Sequence, residues 1–320
     1  MANDVLVVAE HLGGKVSDST FELLGKAREL ADPLGGRAVV ALLGAPGLVG
    51  ELGAADVAVT CDHRALADYS PEAYEIVLAE MVAERQPRLV LVGTTTAGLD
   101  LAGALSASWD APLASYVIQL YAEGGALVAT AQIYGGKMLA EVVLEAERTV
   151  CSVTAGSFPA AAGRGAGTPA VEVMAPPAAL EDLRSSFLEL IEPEAGDVDI
   201  TTADVLVSVG RGIGSQDNLE LVQELADALG APLSASRPVT DLGWLPKTRQ
   251  VGKSGLKVKP RAYLAFGISG APEHLEGMSD AELIIACNTD AKAPIFDVAH
   301  YGTTIDLFDL VPELSQRLET

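Results

Sequence analysis

The sequence predicts an α/β protein of two Rossmann-like domains, on three observations. Short Val, Leu and Ala runs alternate with helical periods, the texture of buried parallel strands joined by helices. After Trp109 three strand-like runs are separated by Gly124-Gly125 and Gly135-Gly136, a hairpin signal that adds an antiparallel extension to a βαβ sheet. In the second half, Gly, Ser or a basic residue repeatedly follows an apolar run, which is how a parallel sheet presents backbone N–H groups to phosphate. With 320 residues and 49% hydrophobic composition the chain can bury two ordinary cores. The boundary is expected near Gly196, giving domains 1–195 and 196–320.

Acidic residues number 44 against 21 basic, a formal charge of −23. Such a field repels nucleic acid and anionic lipid and suits either a plain solubilising acidic surface or docking to a partner with a basic patch. No apolar run is long enough to span a bilayer, so no membrane insertion is expected. The N-terminus enters a strand at once, without a basic leader or cleavage site, and a cytoplasmic bacterial or archaeal protein is expected. Cys61, Cys151 and Cys287 are far apart and form no CxxC pair, so they read as buried thiols. His11, His63, His274 and His300 have no ligand spacing.

In chain order, Val5 to Ala9 reads as a buried strand. Phe21, Leu24, Ala27 and Leu30 share a face of a helix over 20–31, with Pro33 after its stop. Strands follow at 38–43 and 57–60. Ser70-Pro71-Glu72 opens a helix with a hydroxyl cap, a proline and an acid in the first turn. The strand at 89–92 ends in Gly93-Thr94-Thr95-Thr96, either a phosphate loop or a plain strand-to-helix turn; no Walker lysine accompanies it. Strands at 116–121, 126–134, 137–144 and 149–154 complete the sheet. Residues 159–178, small and rich in Gly and Pro, read as loop or linker, and 181–194 as an exposed acidic segment.

The strand at 205–209 ends in Gly210-Arg211-Gly212-Ile213-Gly214, which matches GxGxxG only in part. The helix that follows carries Leu219, Val222, Leu225 and Leu229 on one face, and Asp217 and Glu220 have capping-box spacing. A short strand then ends in Ser234-Ala235-Ser236-Arg237-Pro238, where the proline is expected to keep a helix from starting at the arginine. Gln250-Val251-Gly252-Lys253-Ser254-Gly255 sits in a cationic stretch with Lys247, Arg249, Lys257, Lys259 and Arg261, facing an anionic ligand or a docking partner. The strand at 263–266 runs into Gly267-Ile268-Ser269-Gly270-Ala271-Pro272-Glu273-His274. Asn288 ends the next strand, placed for a ribose contact or a turn cap. Asp306 opens the last helix, as its cap or as an acceptor for a ribose hydroxyl.

These blocks resemble the α subunit of electron-transfer flavoproteins over nearly the whole chain. The specific matches are Ala-Ser-Arg-Pro, Gln-Val-Gly-x-Ser-Gly, Gly-Ile-Ser-Gly-Ala-x-x-His-x-x-Gly-Met and Ala-Pro-Ile-Phe-Asp-Val-Ala. The N-terminal Val-Leu-Val-Val-Ala-Glu-His is similar to that subunit's first strand. The resemblance implies FAD in the second domain, at the junction with a β subunit that carries AMP or a second FAD. It places Arg211 near the pyrophosphate, Ser236 and Arg237 at the flavin with Arg237 over the ring, and Val251, Gly252, Lys253 and Ser254, preceded by Gln250, along the ring. Gly267, Ser269, Gly270, Ala271, Pro272, Glu273 and His274 would wrap the cofactor, with His274 near the flavin O2. Asn288 and Asp306, with Leu307, would hold the adenosine end.

The implied function is relay of single electrons between flavin dehydrogenases, such as acyl-CoA dehydrogenases of fatty acid β-oxidation, and a quinone-linked or other acceptor. Arg237 and a protonated or hydrogen-bonding His274 would stabilise the negative charge that reduction places at N1/O2. No catalytic base is needed. A variant is a bifurcating complex fed by NADH; a remoter reading is an NAD-dependent enzyme, for which no acid/base dyad is legible. The chain departs from the family at Lys253, where Gln is usual, at Ser254 in place of Thr, and at Pro272-Glu273 in place of Ile-Gln. It also lacks the arginine often found before the segment matching Gly156-Ser157-Phe158.

Overall fold

The computed structural model describes residues 3–124, 126–190 and 198–318. The chain divides into two compact units, Met1–Glu189 and Leu190–Thr320. The boundary expected near Gly196 lies outside the described residues.

The first unit begins with β1 (Val5–Val8), buried along its whole length, and a small hairpin of β2 (His11–Leu12) and β3 (Lys15–Val16). Helix α1 (Asp18–Leu34) is capped by the Ser17 hydroxyl, which accepts from the Thr20 N–H, and closes on Gly35 in the left-handed conformation. It runs through Pro33 instead of stopping before it, because a proline in the last turn forfeits only one backbone bond. Then come β4 (Ala38–Leu43), β5 (Val57–Cys61), α2 (Pro71–Arg85), β6 (Leu89–Gly93) and α3 (Thr96–Ser108). Ser70 precedes α2, but its hydroxyl caps nothing; Pro71 and Glu72 supply the start signal. The strands β7 (Leu113–Glu123), β8 (Ala126–Ile133), β9 (Met138–Leu144), β10 (Thr149–Val153) and β11 (Ala170–Val173) complete the unit.

Among the described residues these strands form one sheet, in the order β11-β5-β4-β1-β6-β10-β7-β8-β9. It is parallel from β11 to β7, and β8 and β9 are antiparallel, as the paired glycines foretold. Alternate residues of β1 feed two cores. Val5 and Val7 pack with Phe21, Leu24 and Ala27 of α1; Leu6 and Val8 pack with Val77 and Met81 of α2 and Leu101 and Leu105 of α3. Burial on both faces explains why the parallel strands are continuous apolar runs. The segment read as linker contains β11, which lengthens the sheet beside β5 from an exposed edge.

The second unit holds β12 (Val205–Val209), α4 (Leu219–Ala228), β13 (Leu233–Ala235), α5 (Arg237–Asp241), β14 (Ala262–Phe266), α6 (Pro272–Leu275), β15 (Ile284–Cys287), β16 (Tyr301–Thr303) and α7 (Leu307–Leu318). Its sheet is parallel, in the order β13-β12-β14-β15-β16. The chain therefore reverses its direction of travel between β12 and β14, the topological switch point where open α/β sheets take their ligands. One face is covered by Val222 and Leu225 of α4 with Leu307 and Val311 of α7, the other by Tyr263, Met278 and Ile295.

Two local expectations are corrected. Helix α5 starts at Arg237 with Pro238 in its first turn, where a missing N–H is no loss. Asp217 and Glu220 form no capping box, because a 3₁₀ turn at Gln216–Asn218 precedes α4. No helix among the described residues is long and apolar enough to cross a membrane.

Candidate functional site

The carboxyl ends of β12 and β14 meet at glycines. The Gly210 N–H donates to the Phe266 carbonyl at 2.9 Å and the Gly212 N–H to the Gly267 carbonyl at 3.1 Å. A Cβ at Gly210 would stand 2.2 Å from the Gly267 oxygen. Gly210 and Gly212 thus let two turns of the chain touch, and Gly212 and Gly267 of this contact line a cleft of about 660 Å³. That volume falls within the range of small-molecule sites.

Each wall of the cleft comes from one strand end. Arg211 and Gly212 follow β12; Ser236, Arg237 and Pro238 follow β13; Gly267, Ile268, Ser269, Gly270 and Ala271 follow β14. The loop Val251, Gly252, Lys253 and Ser254 closes one side, with Glu273 and His274 of α6. Gly212, Pro238 and Ile268 were not among the expected site residues; each adjoins one that was. Of the expected residues, Gln250, Pro272, Asn288, Asp306 and Leu307 do not line the cleft.

Four of them make contacts within the chain. Gln250 is buried behind the wall, where its Oε1 accepts from the Thr240 hydroxyl at 2.7 Å and its Nε2 donates to the Ser254 Oγ at 3.0 Å. The Ser254 oxygen is thereby occupied as an acceptor, which leaves its hydroxyl hydrogen to donate elsewhere. Asn288 donates to the Ile268 carbonyl at 2.8 Å and accepts from the Asp290 N–H at 2.9 Å, tying the end of β15 to the loop after β14. Asp306 caps α7 by accepting from the Phe308 N–H at 3.0 Å, and Leu307 is core.

Three cations, Arg211, Arg237 and Lys253, line the cleft against one carboxylate, Glu273. In a chain of charge −23 this concentrates local positive charge where an anionic ligand would lie. Arg237 is held by Asp241, Nε to Oδ2 3.1 Å, one turn along α5. Of the wider basic stretch, Arg249 donates to the Leu233 carbonyl at 2.8 Å and Lys257 pairs with Asp280 at 3.2 Å; only Lys253 reaches the cleft wall.

His274 is 6% exposed. Its Nδ1 faces the Val251 carbonyl at 3.2 Å, and its Nε2 lies 3.0 Å from the Tyr263 hydroxyl, itself 2.7 Å from Ser208 Oγ. A carbonyl only accepts, so Nδ1 carries the proton. Burial pushes the imidazole down to about 4, so the ring is neutral near pH 7; of the protonated and hydrogen-bonding forms expected from the sequence, the hydrogen-bonding one agrees with this. Tyr263 and Ser208 were missed by sequence reading. The available signal was a tyrosine inside a central apolar strand, whose hydroxyl must find a partner.

The threonine loop of the first unit is a plain turn. The Thr95 hydroxyl caps α3 by accepting from the Gly98 N–H at 2.9 Å and donates to Glu10 Oε1 at 2.9 Å. Burial raises the Glu10 carboxyl above its usual range. An acid in this position opposes a phosphate.

Comparison with known proteins agrees with the architecture. Residues 5–179 match the electron transfer flavoprotein domain and residues 199–279 the electron transfer flavoprotein FAD-binding domain. The chain is 38% identical to Protein FixB of Clostridium saccharobutylicum, over 97% of this chain and 94% of that one. It is 36% identical to the acryloyl-CoA reductase electron transfer subunit beta of Anaerotignum propionicum, over 97% and 94%. It is also 36% identical to the electron transfer flavoprotein subunit alpha of Methylophilus methylotrophus, over 98% of both chains. A mixed sheet and a parallel sheet with a glycine-lined cleft at the latter's switch point, matched along nearly the whole length by these relatives, place the chain in the electron transfer flavoprotein α-subunit family, as a flavin-binding electron-transfer subunit whose family implies a β-subunit partner.

Proposed function

We propose that the second unit, Leu190–Thr320, binds FAD in the cleft between β12 and β14, and that this cofactor exchanges single electrons with flavin dehydrogenases and a downstream acceptor. The observation that carries the reading is the cluster of Arg211, Arg237 and Lys253 on a glycine-lined switch-point cleft. The donor set fits the group: guanidinium and ammonium for a pyrophosphate and for charge on a reduced ring, and the hydroxyls of Ser236, Ser254 and Ser269 for the flavin edge and ribityl chain. A cofactor bound there supplies one-electron chemistry.

This chain's residues supply the environment. Arg237 places positive charge where electron density arrives, with Asp241 fixing its guanidinium. Gln250 fixes Ser254. His274, neutral, contributes a buried dipole and holds Val251 against α6. Asn288 and Asp306, which would hold the adenosine end, are themselves steadied by bonds within the chain: Asn288 ties β15 to the loop after β14 and Asp306 caps α7. Electron relay needs no proton-transfer residue.

The likeness to a subunit named for acryloyl-CoA reductase supports a CoA-thioester flavin enzyme as one exchange partner. AMP or a second FAD in the β subunit, and NADH as a source of electrons, depend on that partner's residues. Co-purification of the chain with its β subunit tests the reading: a yellow complex with one FAD per α chain is expected, and a colourless complex that takes up no added FAD overturns it.

A further inference from the structure

Lys253 stands on the cleft wall with its Nζ 3.7 Å from Glu276 Oε2, and Glu276 itself lies outside the cleft lining. Backbone bonds join the two segments that carry them. The Lys253 N–H donates to the Glu273 carbonyl at 2.7 Å, and the Val258 N–H donates to the Gly277 carbonyl at 2.8 Å. Gly252, at φ 133°, and Gly277 are pressed together, so that a Cβ at Gly277 would stand 2.4 Å from the Gly252 nitrogen. The loop with Lys253 and the turn with Glu276 therefore move as one piece.

Both side chains are only about one-third exposed, at 32% and 35%, so solvent screens the pair less than it would a surface pair. Glu276 places a carboxylate beside the ammonium and offsets part of its charge at the cleft wall. Removing that carboxylate leaves more of the Lys253 charge acting on a bound group.

We propose that Lys253 and Glu276 form a coupled charge pair that sets how strongly the cleft favours an electron on its flavin. Lys253 supplies the field, and Glu276 is a positioning residue that attenuates it. This rests on the FAD reading above.

The test is a redox titration of the α/β complex with reference dyes, alongside measured FAD content, for wild type, Lys253→Gln, Glu276→Gln and the double variant. Lys253→Gln should shift the balance between oxidised and one-electron-reduced flavin roughly threefold or more toward oxidised, and Glu276→Gln should shift it the other way. The Glu276→Gln effect should shrink in the Lys253→Gln background, because the carboxylate then has no cation to restrain. All shifts should diminish at high salt, and Lys253→Arg should keep the wild-type balance. Full FAD content with Glu276→Gln unchanged, shifted in the same direction as Lys253→Gln, or equally effective in both backgrounds overturns the inference alone. Absence of FAD from the wild-type complex overturns the reading beneath it.

Discussion

The Tyr263 hydroxyl lies 3.0 Å from Nε2 of His274, with both side chains buried, the histidine on the cleft and the tyrosine in the central strand beneath it. The neutral ring that this arrangement favours has a consequence for acid stability. Burial lowers His274 from 6.5 to about 4. An unfolded chain takes up a proton as the pH falls through 6.5, whereas the folded chain resists until about 4. Stability from this group is fully present above pH 6.5 and is lost as the pH drops toward 4, by on the order of 3 kcal/mol. Urea unfolding of wild type and His274→Gln across that window should show the excess slope only in wild type.

Tyr263→Phe removes the oxygen shared by Ser208 and His274 and leaves both short of a partner in the core. The expected loss is about 1–3 kcal/mol, read from the denaturation midpoint. An unchanged midpoint would show that these contacts contribute nothing net.

Gln250→Leu keeps the bulk of the side chain but takes one of two acceptors from the Thr240 hydroxyl, which retains the Arg237 carbonyl, and frees Ser254. Stability should fall by about 1–3 kcal/mol, and FAD retained after dialysis should fall with it. Full retention would mean that the orientation of Ser254 is set by something else.

Two glycines should respond in opposite ways to alanine. At Gly210 the new Cβ meets the Gly267 carbonyl at 2.2 Å, so the second unit should lose at least about 1–3 kcal/mol. At Gly103, inside α3 with nothing within 4 Å, alanine should stabilise by roughly 0.5–1 kcal/mol. Thermal unfolding reads both.

Glu10→Gln should stabilise the first unit at neutral pH. Burial raises the Glu10 carboxyl above 4.5. Its ionised form is thus disfavoured in the fold, and stability is lost as the pH rises through the folded value. The amide carries no such penalty and can still accept from Thr95. A destabilised variant at pH 7 would show that the charge is wanted there.

The sequence by itself determined the alternation of strands and helices, the antiparallel extension, and the loops that line the cleft. Strand ends with Gly, Ser and Arg are local patterns, and Arg237, Lys253 and Ser269 were legible from them. The family was legible from the order of the blocks. Tertiary structure alone decided which of these residues line the cleft and which sit beside or behind it. Gln250, Asn288 and Asp306 have the chemistry of contacts, yet their nearest partners are this chain's own backbone and hydroxyls, brought close by folding. Whether His274 carries charge depended on burial, which no spacing records. The same holds for Glu276. Its pairing with Lys253 crosses from one loop to another, and only the close fit of Gly252 against Gly277 brings them within reach.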